Sequence, residues 1–247
     1  MRRVAKGLLL LLLIFLVPAA ASMVWWLTVD RPGSWREANW ESSGVLPPAA
    51  SFDGAVIHIM AARTGGIKGA LSQHTWIVTK RADEERYTRY DKVGWGRPVR
   101  VNAYAADAYW YSNLPYAVHT VKGDRAEALI PEIEKAVRNY PHSGVGGYHI
   151  WPGPNSNSFV AHVLREVSDI GASLPPNAVG RDYLAGGRWW YYSSRGWNIT
   201  FSAGGLFGIS AGELSGIEVN FLGLVAGFDF RDPALKVPGF GRIPLMP

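Results

Sequence analysis

Trp151-Pro-Gly-Pro-Asn-Ser-Asn-Ser-Phe-Val160 is a turn-rich approach that breaks directly into a helix, continuing as Ala-His-Val-Leu-Arg-Glu-Val167. Prolines and a glycine stiffen the approach, and small polar residues stand where the helix begins. A helix start carries unpaired backbone N–H groups and the positive end of the dipole. Either Ser156 or Asn157 therefore caps the helix, or Ser156 presents a hydroxyl beside those donors. Asn155 and Asn157 equally suit a role in holding the Pro-Gly turn.

Working outward, Val160, Val163, Leu164 and Val167 form one inward stripe, which predicts a helix over 157–169 stopped by Gly171. Leu129, Ile133, Val137 and Tyr140 predict another over 124–140, with Pro131 near its first turn. Before it, Ala55–Met60, His74–Thr79 and Tyr87–Val93 read as strands, the last two joined by the charged turn Arg81–Glu85. After Pro175 the pattern turns Gly-rich and β-like: Trp189–Tyr192, Trp197–Phe201, Leu206–Ile209, Ile217–Phe221 and Gly223–Phe228. Leu214–Phe228 is apolar but short, so it reads as core strands and not as a membrane span. The expected class is α+β: an antiparallel sheet with two packed helices and a β-rich carboxyl extension. Core 51–170 and extension 171–247 would form one domain.

The amino end has a different character. Met1-Arg-Arg-Val-Ala-Lys6 is basic, and Gly7–Val29 carries no charge. As a helix, residues 7–29 span about 34 Å, enough to cross a bilayer. Leu8–Val17 with Ala19–Ser22 also resembles a cleavable signal. Trp25, Trp26 and the continued apolar run favour a retained anchor with the indoles at the far interface. Residues 30–50 then form a linker. The basic end stays inside, which predicts a single-pass inner-membrane protein with its domain in the periplasm.

The 247 residues carry a formal charge of +5, but Arg2, Arg3 and Lys6 supply three of the 25 basic groups. The remaining 22 face 20 acidic residues, and no basic stripe interleaves with aromatics, so nucleic acid is not an expected partner. Cys is absent, which excludes disulfides, thiolate metal sites and a thiol nucleophile. His142, His149 and His162 lack ligand spacing, and no metal or other cofactor is expected. Glu213 and Glu218 read as surface or turn acids before paired catalytic carboxylates. Trp189–Tyr192 reads as core aromatic packing.

Three residues suggest chemistry. His74 opens an apolar strand, Asp91 lies on the strand expected to pair with it, and Ser156 stands at a helix start. In that order they are base, orienting acid and nucleophile. This order resembles the circularly permuted papain-like group, which includes NlpC-type peptidases and the lecithin:retinol acyltransferase family. There a His begins a strand, a polar residue follows, and a Cys opens a helix. The acyltransferase-like members carry Asn-Cys-Glu-His-Phe-Val; Asn155-Ser-Asn-Ser-Phe-Val160 aligns with it and places Ser156 on the Cys. The resemblance covers residues 55–170 and implies a permuted papain-like core acting on amide or ester bonds. Serine in place of cysteine implies either a serine hydrolase or acyltransferase, or a non-catalytic binding or scaffold domain.

A second resemblance is denser. His74-Thr-Trp-Ile, Gly94-Trp-Gly96, Asp107 with Tyr109-Trp110, Tyr140-Pro141, Trp151–Phe159, Leu174-Pro-Pro176, Arg181-Asp-Tyr183, Gly216–Asn220 and Leu235–Arg242 together resemble the bacterial domain of unknown function 3750 family. That family implies no activity. Around the proposed triad, Trp76, Trp151, Asn155, Asn157 and Ser158 are the expected pocket residues, and a cell-envelope peptide or lipid is the expected partner beside the membrane.

Overall fold

Val56–Arg63 (β1) and Gln73–Lys80 (β2) are nearly unbroken runs of buried residues, as expected of strands covered on both faces. In the computed structural model, which describes residues 2–245, they form the middle of a five-stranded antiparallel sheet. Thr88–Lys92 (β3), Val99–Val101 (β4) and Tyr116–Lys122 (β5) complete it in the order β4-β3-β2-β1-β5. Met1 of the basic leader and Met246 and Pro247 of the domain lie outside the described residues.

The pairings Ile59↔Ile77 and Ile77↔Tyr90 put Ile57, Ile59, Ile77 and Tyr90 on one face. Asp124–Arg138 (α2) and Ser156–Glu166 (α3) cover that face through Ile130, Ile133, Phe159, Val160 and Val163. Acids in the first turn of α2 and bases in its last turn complement its dipole. Pro131 lies at the end of its second turn, deeper than expected. α3 ends at Glu166, short of 169, and Gly171 adopts the left-handed φ of 72° that stops the chain after one more tight turn. The opposite face carries Met60, Trp76 and Val78. Leu46, Trp40 and Trp110 cover it, so the segment 31–50 packs onto the domain.

The carboxyl part is a seven-stranded antiparallel meander whose neighbours follow chain order. Its strands are Trp190–Ser193 (β6), Asn198–Ala203 (β7), Phe207–Gly212 (β8), Gly216–Phe221 (β9), Leu224–Asp229 (β10), Ala234–Val237 (β11) and Gly241–Pro244 (β12). Its polarity is inverted. Thr200, Ser202, Ser210, Glu218, Asn220 and Lys236 are buried, while Trp190, Phe201, Ile209, Ile217, Val219 and Leu235 are exposed.

Three expectations are thereby corrected. Leu214–Phe228 does form strands, but Ile217 and Val219 point outward and are not core. Glu218 is buried, where Arg181 and Lys236 neutralise it from two sides. Trp189, Trp190 and Tyr192 are exposed and pack into no core. The common cause is the inward face, which is committed to polar and ionic partners; Asn220, for example, donates to Asp182 at 2.9 Å.

Arg2–Leu27 (α1) is one apolar helix, with a π-helical stretch at Leu12–Leu16. It is long and apolar enough to cross a membrane. Its amino half, Arg2–Leu11, buries nothing. From Phe15 onward a stripe of Phe15, Ala19, Ser22 and Trp26 packs on the domain. Phe15 meets Phe221 at 5.5 Å, Ser22 donates to the Ala70 carbonyl at 2.6 Å, and Trp26 donates to Gly66 at 2.9 Å. Trp26, expected at a membrane interface, is instead buried in the domain. Gly69 makes the room, since a β-carbon there would lie 2.4 Å from the indole.

Candidate functional site

β2 and β3 place His74 and Asp91 on the same face. The register Ile77↔Tyr90 continues to bring Asp91 opposite Trp76, diagonal to His74. His74 Nε2 lies 3.0 Å from Asp91 Oδ1, and both side chains are buried. Arg89, two residues from Asp91 on the same face, donates from Nε to Oδ2 at 2.6 Å and from Nη2 to Oδ1 at 3.0 Å. A third bond, to the Ala105 carbonyl at 2.7 Å, and the Trp76 ring 4.1 Å below its guanidinium fix Arg89 in turn. The His74 ring lies flat on Trp110, with centroids 3.6 Å apart and planes 4° apart.

Burial pushes the His74 pKa down, and Asp91 only partly opposes this. His74 is therefore neutral near pH 7. Burial alone would raise Asp91, but Arg89 and then His74 overcome it and hold the carboxyl below its usual range. A carboxylate bonded to Nε2 fixes the tautomer with the proton on Nε2, leaving Nδ1 as the basic nitrogen. Nδ1 has no hydrogen-bond partner among the described residues.

The start of α3 departs from the expected capping role of Ser156 or Asn157. Asn155 is the cap: its Oδ1 accepts from the Asn157 and Ser158 amides at 2.9 and 3.1 Å. Ser158 completes a capping box by accepting from the Asn155 amide at 3.1 Å, and its hydroxyl donates to Gly180 at 2.6 Å. Asn155 Nδ2 donates to the Ile150 and Val179 carbonyls. Asn157 ties the helix start to β2: Thr75 donates to its Oδ1 at 2.9 Å, and its Nδ2 donates to the Gln73 carbonyl at 2.8 Å. The residues on either side of Ser156 thus hold the helix start beside His74, and Ser156 itself is released from capping.

Ser156 and His74 line one cavity of about 310 Å³, together with Lys92, Trp110, Tyr148 and Trp151. Tyr148 lines the cavity beside Ser156; burial raises its phenol pKa, and the nearness of Ser156 opposes that. The Asn157 and Ser158 amides are already bound to Asn155 Oδ1 and are not free to hold an oxyanion. The Ser156 amide and the Tyr148 hydroxyl remain beside the cavity. Lys92 reaches it from the opposite face of β3, donating to the carbonyls of His142 (2.9 Å) and Gly147. Burial pushes its pKa down to about 8.

Trp76 supports His74 and Arg89 from behind and donates to the Ala106 carbonyl. Trp151, half exposed, closes one wall and donates to the Leu222 carbonyl. His162 packs against Tyr140 at 5.1 Å, outside the lining of this cavity. Among the described residues no cluster of three or more His, Asp or Glu is placed to hold a metal ion.

Sequence reasoning missed Arg89, Lys92, Trp110 and Tyr148. For Arg89 a signal existed. Arg89-x-Asp91 sits on an internal strand, where alternation puts both charges on one covered face, and such charges need each other. Tyr148 and Trp110 lie on loops, whose return to the site no local pattern encodes.

No curated protein and no solved structure matches this chain. One family model does match, over residues 54–183, which include every side chain of the cavity described above except Leu222 and Leu224. That match spans more than half of the sequence, and the chain belongs to the family described as Protein of unknown function (DUF3750).

Proposed function

We propose that the protein is a membrane-anchored serine hydrolase or acyltransferase with a permuted papain-like core, acting on amide or ester bonds of a cell-envelope peptide or lipid. The observation that carries this is a serine freed from helix capping that shares one cavity with a neutral, carboxylate-oriented histidine. Ser156 Oγ attacks the substrate carbonyl as its proton passes to His74 Nδ1. The oxyanion is held by the Ser156 amide and the Tyr148 hydroxyl. His74 returns the proton to the leaving group, and water or an acceptor hydroxyl releases the acyl group by the reverse path. Asp91 orients His74 and steadies its cation, and Arg89 positions Asp91.

The anchor is α1, with the domain on the side of the membrane away from the basic leader, which is the periplasmic side of an inner membrane. A fluorophosphonate probe tests the chemistry. The wild type is labelled, while Ser156→Ala and His74→Ala lose labelling at least tenfold and still unfold cooperatively. A wild type left unlabelled where a control hydrolase reacts overturns the reading.

One observation favours a second reading. Arg89 engages both oxygens of Asp91, which diminishes the charge that Asp91 offers to an imidazolium. A non-catalytic binding or scaffold domain with the same pocket follows, in which Ser156→Ala and His74→Ala alter stability but not phenotype.

A further inference from the structure

The outward face of the seven-stranded sheet is apolar throughout. Cross-strand register aligns Phe201, Ile209 and Val219 in one row and Ile217, Phe228 and Leu235 in the next. Ile209 is 57% exposed and Ile217 49%. The inward face is the polar one, so the usual orientation of a one-sided sheet is reversed. An apolar face of this extent on a soluble domain marks an interaction surface.

What covers it is indicated by α1. A helix packed on a soluble domain turns polar residues outward. α1 spends Phe15, Ala19, Ser22 and Trp26 on the domain, yet Leu12, Leu13, Ile14, Leu16 and Val24 on its other sides are apolar and exposed. Its outer surface needs an apolar medium, and α1 joins the sheet where Phe15 meets Phe221, an outward-facing residue of central strand β9. Along the helix, Phe15 lies about 12 Å from Gly7 and about 16 Å from Trp26. Hydrocarbon is about 30 Å thick, so a helix spanning it from Gly7 to Trp26 holds Phe221 well inside.

The backbone allows this. Phe221 pairs with Phe207 and Leu224, so its strand exposes side chains rather than unpaired amides. At the unpaired β6 edge stand the exposed Trp189, Trp190 and Tyr192, whose rings favour the headgroup zone.

We infer that the outward face of the β6–β12 sheet is immersed in the lipid bilayer beside α1, so that the domain is embedded in the hydrocarbon and not suspended above it. The inference rests on the anchoring part of the proposed function. It places the active-site domain against the membrane and favours a substrate that is itself held in lipid.

The chain has no cysteine, so introduced ones report alone. The full-length protein is reconstituted in phosphatidylcholine/phosphatidylglycerol vesicles, with an environment-sensitive fluorophore on Leu9→Cys (helix), Ile209→Cys or Val219→Cys (face), or Glu85→Cys (exposed turn). Doxyl-labelled lipids quench Leu9→Cys, Ile209→Cys and Val219→Cys, each at least threefold more than Glu85→Cys. Quenching at Leu9→Cys alone overturns the face and leaves the anchor standing. No quenching at Leu9→Cys overturns both. Protection of Ile209→Cys that rises with protein density, without lipid quenching, makes the face a contact between copies and overturns the inference.

Discussion

Replacing Asn155 with alanine removes the acceptor that holds the start of α3, and the structure gives the size of the effect. Asn155 Oδ1 takes both the Asn157 and Ser158 amides, and all three residues are buried. An ordinary cap is worth about 0.5–2 kcal/mol. Here water cannot replace the lost partner, and each stranded buried donor costs about 1–3 kcal/mol. Asn155→Ala is therefore expected to destabilise by about 2–5 kcal/mol, a large share of the 5–15 kcal/mol typical of a domain. Asn155→Asp keeps the acceptor and adds a favourable charge at the helix start, but forfeits the bonds from Nδ2 to Ile150 and Val179. It should fall between alanine and wild type. Urea unfolding followed by tryptophan fluorescence, in one detergent for all three proteins, measures the series. A loss below about 0.5 kcal/mol for Asn155→Ala would refute the assignment of Asn155 as the cap that frees Ser156.

Two further outcomes follow from buried charge. Burial, with Lys122 assisting, pushes His58 down to about 4 from an unfolded value of 6.5, so the unfolded chain binds the proton first. The stability this gives is complete above pH 6.5 and falls by about 3 kcal/mol as pH drops to 4; His58→Gln should flatten that part of the wild-type urea-midpoint profile, and an unchanged slope would contradict it. Glu218→Ala leaves Arg181 and Lys236 buried without their carboxylate and should cost about 3–5 kcal/mol. Glu166→Ala, which breaks the exposed pair with Arg188, should cost under about 1 kcal/mol by the same unfolding assay, and equal losses would refute the contrast.

Much of the fold was legible because the signals were local. Helical spacing located α2 and α3, short apolar runs located β1–β3, Gly-punctuated β-like segments located β6–β10, and the uncharged run located α1. Tyr116–Lys122 was missed because its burial comes from pairing with β1 and not from its own pattern. Ala234–Val237 and Gly241–Pro244 are too short to show a period. At the site, the order His74, Asp91, Ser156 was readable. That Asn155 and not Ser156 caps the helix was not, because adjacent small polar residues have nearly equal capping propensity and backbone geometry chooses between them.

Sequence by itself determined that the Gly-rich segments between Trp189 and Phe228 are strands, whose side chains must alternate between two faces. Only the tertiary structure decided which set faces inward. Alternation is symmetric between faces, and the choice falls to what lies beneath: Arg181 and Asp182 demand Glu218, Lys236 and Asn220, and so turn Ile209, Ile217 and Val219 out. The same apolar residues that read as core from their spacing thus become surface, because a buried charge left unpaired costs more than exposed hydrocarbon.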